Sequence, residues 1–384
     1  MLDFVGQHRA DFRFDRLLSC LTGLSRRELL DNVESGFGSL PPGCHIHLQR
    51  QTREQVLQGL RALTAQNWRR LKTELQTYAA LKGRTGVRLA DFLHDQALEL
   101  DDVYRTGTGQ SRSGWTALKR DAGLIAAEPG PEEDYFSRRF GDLLHVDEPR
   151  RLDVMAAAGG QQGHMHGLYS HAALGLQMLA YQIDGRHEQA AGQQAFAERL
   201  QGHPAIASEL VELSGLLQAG STLPAKAVPG LEDTPLCLHA AYGAREALTA
   251  VGWLTAARRA PFQAGVLPLP GRQTELLFVT LDKSEGYHDR ISYHDYAISA
   301  ERFHWQTQNS AGPDTPGGRR YLGSASNGWQ FQLFVRPRKG DAYRACGRVT
   351  LESAEGDRPM NIVWRLQTPL PARLFREFSV LRGA

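Results

Sequence analysis

The sequence predicts an α+β chain, mostly helical over its first two-thirds and closing in a small β-barrel or sandwich. Three observations predict this. Apolar residues recur at helical spacing through most of the first 260 residues. After about residue 262 the pattern changes to strand alternation. The late strand-like runs are short and joined by long polar loops. With 384 residues the chain has room for two or three domains. The expected division is a helical region at 1–126, a helical connecting domain at 127–261 and a β-rich domain at 262–384.

LDFVG, at residues 2–6, reads as a buried strand with no preceding segment in this sequence to pair with. Ser25 and Glu28 form a capping box for a helix through Leu29 and Leu30, and Thr52 with Gln55 forms a second. Val56, Leu60 and Leu63 follow at helical spacing, as do Trp68, Leu71, Leu75 and Tyr78. The stretches 88–105 and 113–124 predict short helices separated by turns. They are compatible with a helix-turn-helix that presents one helix to a DNA groove, and the plainer reading is a small helical bundle. AEPGPEED (127–134) reads as a linker or loop. Ile206, Leu210, Leu213 and Leu217 mark another helix. Thr234 as N-cap and Pro235 at the first position predict a helix through LCLHAAYGAREALTAVGWL.

TELLFVTL (274–281) has the continuous apolar character of a buried strand. In GWQFQLFVR, Trp329, Phe331, Leu333 and Val335 share one face, opposite Gln330, Gln332 and Arg336. NIVWRLQ alternates in the same way, with Ile362, Trp364 and Leu366 opposite Val363, Arg365 and Gln367.

Hydrophobic content of 41% and charged content of 22% are those of a globular protein. A net charge of +2 permits a local basic patch without demanding one. Cys20, Cys44, Cys237 and Cys346 form no C-x-x-C pair, which argues against a zinc ribbon or a disulfide framework. No signal peptide opens the sequence and no run is long enough to span a bilayer, so a cytoplasmic protein with no membrane partner is expected.

The sequence lacks a P-loop, G-x-S-x-G, H-E-x-x-H, a deaminase signature and H-x-K. It is therefore not expected to be an enzyme by itself, and neither a cofactor nor a catalytic residue is predicted. His164, His166 and His171 bring three imidazoles together without a carboxylate or Cys partner, so no metal is assigned to them. In CHIH (44–47), Cys44 and Ile46 share one face of an extended segment and His45 and His47 the other, a structural pattern.

LLFVTLDKSEG (276–286), YHDYAIS (293–299), FHWQTQNSAGPDTPGGRRY (303–321) and the pattern from Arg358 to Leu366 resemble a bacterial C-terminal domain of long-uncharacterised function. That domain follows superfamily II helicases, often with a phospholipase D-like nuclease at the front. LDFVGQHRADFRFD resembles the segment closing the second RecA-like lobe, and LPPGCHIHLQR with ELDDVYR…GWTALKRDAGL resembles the helical middle of such proteins. The resemblance implies the non-motor part of a helicase. In modification-dependent (type IV) restriction enzymes the matching domain recognises modified cytosine through an SRA/PUA-like barrel that extracts a base. Implied partners are double-stranded DNA, methylated or not, and the helicase and nuclease domains of a parent chain. The alternative is the accessory region of a repair helicase that grips duplex without reading a modified base.

The residues expected to touch DNA follow from what a flipped base requires. Tyr293 and Tyr296 offer ring faces, each worth about 1–3 kcal/mol when a base stacks on it. Asp282 or Asp295 would accept from a cytosine amine. Gln306, Gln308 and Asn309 would reach the base edge or fill the gap behind it. Lys283, Arg319 and Arg320 would hold phosphates, beside a Pro/Gly loop at 311–318 that allows close backbone approach. Alternation in FHWQTQ assigns Phe303 and Trp305 to the core and places His304 with Gln306 and Gln308 on the other face.

Overall fold

The computed structural model of the chain describes residues 17–18, 21–22, 26–35, 37, 46–64, 68–83, 86–96, 98–105, 113–161, 171–258, 265–282 and 295–379. The chain divides into two compact units, Met1–Gly141 and Asp142–Ala384. The expected borders at 126/127 and 261/262 both fall inside these units. The strand expected at residues 2–6 lies outside the described residues.

The first unit is helical. Helices α1 (Arg26–Ser35) and α2 (Arg50–Thr64) close a small core of Leu18, Leu29, Val33, Phe37, Val56 and Leu60. Helix α2 begins at Arg50, so Thr52 lies inside it and does not cap it. Ser25 and the Leu63 side chain lie outside the described residues. Leu71, Leu75 and Tyr78 are buried along α3 (Trp68–Lys82), as their spacing predicts. Three short helices follow: α4 (Leu89–Gln96), α5 (Leu100–Tyr104) and α6 (Trp115–Asp121). Their core is aromatic. Phe92 stacks on Trp115 with centroids 5.6 Å apart and meets Tyr78 edge-on at 5.5 Å. The Trp68 indole donates to Asp121 at 2.7 Å, tying α3 to α6. AEPGPEED is loop and turn through Glu132, as expected, and its last two residues enter α7 (Glu133–Ser137), where buried Glu133 pairs with Arg120.

The second unit joins a helical layer to a β-sheet. The layer contains α8 (Pro149–Ala158), α9 (Ala172–Ala191, kinked at Asp184), α10 (Gln193–Gln201) and α11 (Pro204–Gly220). Ile206, Leu210 and Leu213 face inward from α11. Thr234 does not open a helix. Its hydroxyl donates to the Leu231 carbonyl at 2.7 Å and accepts from the Leu236 N–H, closing a turn. The chain then forms β1 (Ala241–Tyr242), and only afterwards α12 (Ala244–Ala250). Pairing of β1 with Tyr343 and Arg344 of a later strand holds this stretch extended, which overrides its local helical signal.

A lattice of buried charges fixes the layer to the sheet. Glu148 caps α8, accepting from the N–H groups of Arg150 at 2.9 Å and Arg151 at 2.8 Å. The Arg151 guanidinium pairs with Glu246 and donates to the Ala241 carbonyl at 2.7 Å. Glu246 also meets His145 Nε2 at 2.6 Å and accepts from the Gly243 N–H at 2.6 Å. Asp147 accepts from the Ala241 N–H at 2.9 Å and pairs with Arg344 of the strand that pairs with β1.

The remaining strands are β2 (Val266–Leu269), β3 (Thr274–Asp282), β4 (Tyr296–Ser299), β5 (Arg302–Gln306), β6 (Gln330–Arg338), β7 (Tyr343–Glu355) and β8 (Asn361–Leu366). Helix α13 (Pro316–Leu322) precedes β6, and α14 (Ala372–Ser379) follows β8. With β1, these form one mixed eight-stranded sheet in the order β2-β3-β6-β7-β8-β5-β4, β1 pairing with β7. Strands β3 and β6 are parallel and the other pairs antiparallel. The α+β expectation holds: a helical region is followed by a mixed sheet. Among the described residues β2 and β4 are the ends of this sheet and do not pair with each other.

The sheet curls around its inner face. Phe331 of β6 and Trp364 of β8 have ring centroids 5.0 Å apart although β7 runs between their strands. In a flat sheet, next-but-one strands would lie about 9.5 Å apart. Phe303, Trp305, Tyr321, Leu333, Val335 and Ile362 fill the same core, and α14 adds Leu374 and Phe378. Gly347 sits at the β7 bulge with φ of 87°, and a Cβ there would lie 2.6 Å from Leu238 Cδ1. Only glycine combines that backbone with so close a neighbour.

Candidate nucleic-acid interface

The two halves of the sheet differ on their outer side. Along β3 and β6 the outer side chains are buried as well. Gln332 is fully buried and donates to the Pro229 carbonyl at 2.8 Å, while Phe334 stacks on Phe278 at 5.1 Å. The polar outer face predicted for β6 is therefore covered. Along β4, β5 and β8 the outer side chains stay open: Arg302 and Arg365 are exposed, and Tyr296, His304, Gln306, Asn361 and Val363 are half-buried. The pleat sets this division. Phe303, Trp305, Ile362 and Trp364 point into the core, so their neighbours in sequence point out.

Register assembles these residues into a surface. His304 stands opposite Tyr296 on one side and Val363 on the other. The Tyr296 and His304 rings stack with centroids 5.1 Å apart and planes 16° from parallel. One pair along, the Gln306 amide donates to Asn361 Oδ1 at 2.7 Å. At the opposite end Arg302 and Arg365 face each other across the strands, and both pair with Glu352, Arg365 at 3.2 Å. Arg302 foremost holds the Glu352 carboxyl below its ordinary pKa.

The loop after β5 borders the amide end. The Thr307 N–H donates to the Met360 carbonyl at 3.0 Å, and the Thr307 hydroxyl accepts from the Met360 N–H at 2.9 Å. Gln308 and Asn309 are exposed just beyond. Thr315 caps α13 by accepting from the Gly318 N–H at 3.1 Å. Arg358 pairs with Asp314 and reaches Asp357 at 3.4 Å.

Several expected contacts are placed otherwise. Asp295 is buried, and its Oδ1 accepts from the Gln306 N–H at 2.8 Å. It pins the backbone of β5 and does not present an acceptor to a base. Arg319 and Arg320 lie on α13, where adjacent residues diverge by about 100°. Arg319 is exposed. Arg320 turns inward, with Nε 2.7 Å from the fully buried Glu275, which also accepts from the Tyr321 hydroxyl at 2.8 Å. Removing Arg320 would strand a buried carboxylate, so its role is structural. Asp282 ends β3 in register with Arg338. Lys283 and Tyr293 lie outside the described residues.

Tyr296 and Gln306 thus share one side of the sheet, Gln308 and Asn309 are exposed in the loop after β5, and the structure adds His304, Asn361, Arg302 and Arg365 to the sheet face. The signal for these additions was the alternation itself, which sets His304 beside Gln306 and Arg365 opposite Trp364. No cluster of three potential metal ligands occurs among the described residues. His164, His166, Cys44 and His45 lie outside them. No described helix is long and apolar enough to cross a membrane.

Residues 236–378 match the family described as Domain of unknown function (DUF3427). This is an uncharacterised domain found often in helicase-associated proteins. No curated protein matches the chain.

Proposed function

We propose that the chain is the DNA-binding target-recognition and helicase-accessory region of a modification-dependent restriction or antiviral defence enzyme, acting in the cytoplasm. Its contact surface is the outer face of β4, β5 and β8. One observation carries the reading: half of a sheet with a complete inner core leaves a ring stack, an amide pair and two arginines on an open face. Stability does not require that grouping, because exposed ion pairs contribute about 0–1 kcal/mol each. ATP hydrolysis and strand cleavage belong to other domains of the parent enzyme. In its finer form, the proposal has a modified cytosine read by base flipping.

A specific observation favours the second reading, an accessory region that binds without reading a modified base. Asp295 and Arg320, two of the expected contacts, have structural partners. That part of the expected pocket chemistry is therefore committed elsewhere. Titration of matched duplexes, unmodified and cytosine-methylated, at one salt concentration separates the two. Tighter binding to the methylated duplex supports base readout. Equal affinities leave the accessory reading, and no binding to either removes duplex recognition altogether.

A further inference from the structure

Taking the open face as a nucleic-acid interface, we infer that its ligand is single-stranded DNA, held by stacking of unpaired bases on the Tyr296–His304 ring pair. The geometry of the rings points there. At 5.1 Å and 16° they already touch, so a base cannot enter between them. It must lie on the outer side of the pair, which requires a base whose own flat face is free. Bases stacked inside a duplex have both faces covered unless they are flipped out at the cost of unpairing, whereas every base in a single strand can offer one without that cost.

Charge points the same way. Duplex affinity without base readout comes from neutralising many phosphates. This face carries Arg302 and Arg365, and they share the one carboxylate of Glu352. With exposed Glu355, the register partner of Asn361, at the other end of the face, two glutamates balance the two arginines, so the arginine end can orient one or two phosphates while the face has too little positive charge to grip a duplex. The Gln306–Asn361 pair lies beyond the ring stack, away from the arginines, and offers amide groups to the edge of a neighbouring base. The face therefore reads from phosphate contact through stacking to polar edge contact along β5.

The test is fluorescence anisotropy of the full chain with labelled 15-nucleotide oligothymidine, and with a labelled 15-base-pair duplex, at 50 and 200 mM salt. The single strand should bind at least about tenfold tighter than the duplex. With one or two phosphates engaged, its affinity should fall only about three- to sevenfold between the two salts. His304→Ala should weaken single-strand binding about 5- to 150-fold. His304→Phe, which keeps a stacking ring, should retain most of it and shows that the substituted strand still folds. Glu352→Gln should tighten binding and steepen the salt dependence. Duplex binding equal to or tighter than single-strand binding would overturn the inference while leaving the interface reading in place. So would an unchanged affinity in a folded His304→Ala. Binding of neither probe would overturn the interface reading and the inference with it.

Discussion

Glu246→Ala should destabilise the second unit by about 3–5 kcal/mol, the cost of removing one member of a buried ion pair. The structure shows why the upper part of the scale applies. Glu246 is 1% exposed and Arg151 5%. Three donors converge on the carboxylate: the Arg151 guanidinium, His145 Nε2 and the Gly243 N–H. Its loss leaves Arg151 buried with the Ala241 carbonyl as its remaining hydrogen-bond partner among these groups. For a unit of this size each kcal/mol moves Tm by about 2–4 °C, so the transition should fall by about 6–20 °C. Differential scanning calorimetry of the full chain reads the shift directly. Replacing both partners, Arg151→Met with Glu246→Leu, should recover part of the loss, because the guanidinium goes with its partner, although the buried Glu148 carboxylate then loses the charge that offsets its burial. An alanine variant within about 1 kcal/mol of the parent would refute the reasoning, as would a double variant no better than the single. The pH dependence follows with its sign. Burial opposes the Glu246 charge, but Arg151, His145 and the Gly243 N–H outweigh it and hold the pKa below its ordinary value. The stabilisation is complete above the usual glutamate range and is lost as pH falls through the depressed value. Glu246→Gln should flatten that acid limb.

Three further outcomes are expected. A fragment limited to residues 236–378 should fail to give a dispersed NMR spectrum, while 142–384 should give one, because Asp147, Glu148 and Arg151 supply buried partners from outside the matched segment. Burial foremost, with Lys226 and Arg344 nearby, holds the His239 imidazole down to about 4. Its stabilising contribution is therefore complete above about pH 6.5 and is lost as pH falls from there to about 4. His239→Asn, suited to the φ of 65° there, should reduce the loss of urea midpoint between pH 7 and 4.5. Trp305→Ala should cost about 3–5 kcal/mol in urea denaturation, because its ring contacts both Tyr321 and Trp364. Tyr296→Ala, at the half-buried sheet edge, should cost about 1 kcal/mol or less by the same measurement.

The sequence made the sheet's inner core legible because period-2 alternation survives wherever one face meets water. Phe303, Trp305, Ile362 and Trp364 are where alternation puts them. The same rule failed on β6, where Gln332 lies beneath the Pro229 turn and both faces are covered. A glutamine reads as a solvent residue until a distant carbonyl takes its amide. The helix expected from Thr234 failed for a related reason. Its cap residues are real local signals, but strand pairing from a hundred residues away decides the backbone at Ala241 and Tyr242. In the site, adjacency misled: Arg319 and Arg320 look like one basic patch, and a helix sends them in different directions. Asp295 looked available because nothing local reveals the Gln306 N–H that claims it. What could be read was which residues share β5's outer face. What could not be read was that, among the described residues, no second layer covers this half of the sheet.

Hydrogen exchange of the full chain, with and without excess oligothymidine, tests the central claim most directly. Binding at the open face predicts added protection in the segments spanning 295–309 and 361–366, with little change along β3 and β6. Protection confined to β3, β6 or the helical layer, with 295–309 and 361–366 unaffected, would contradict it.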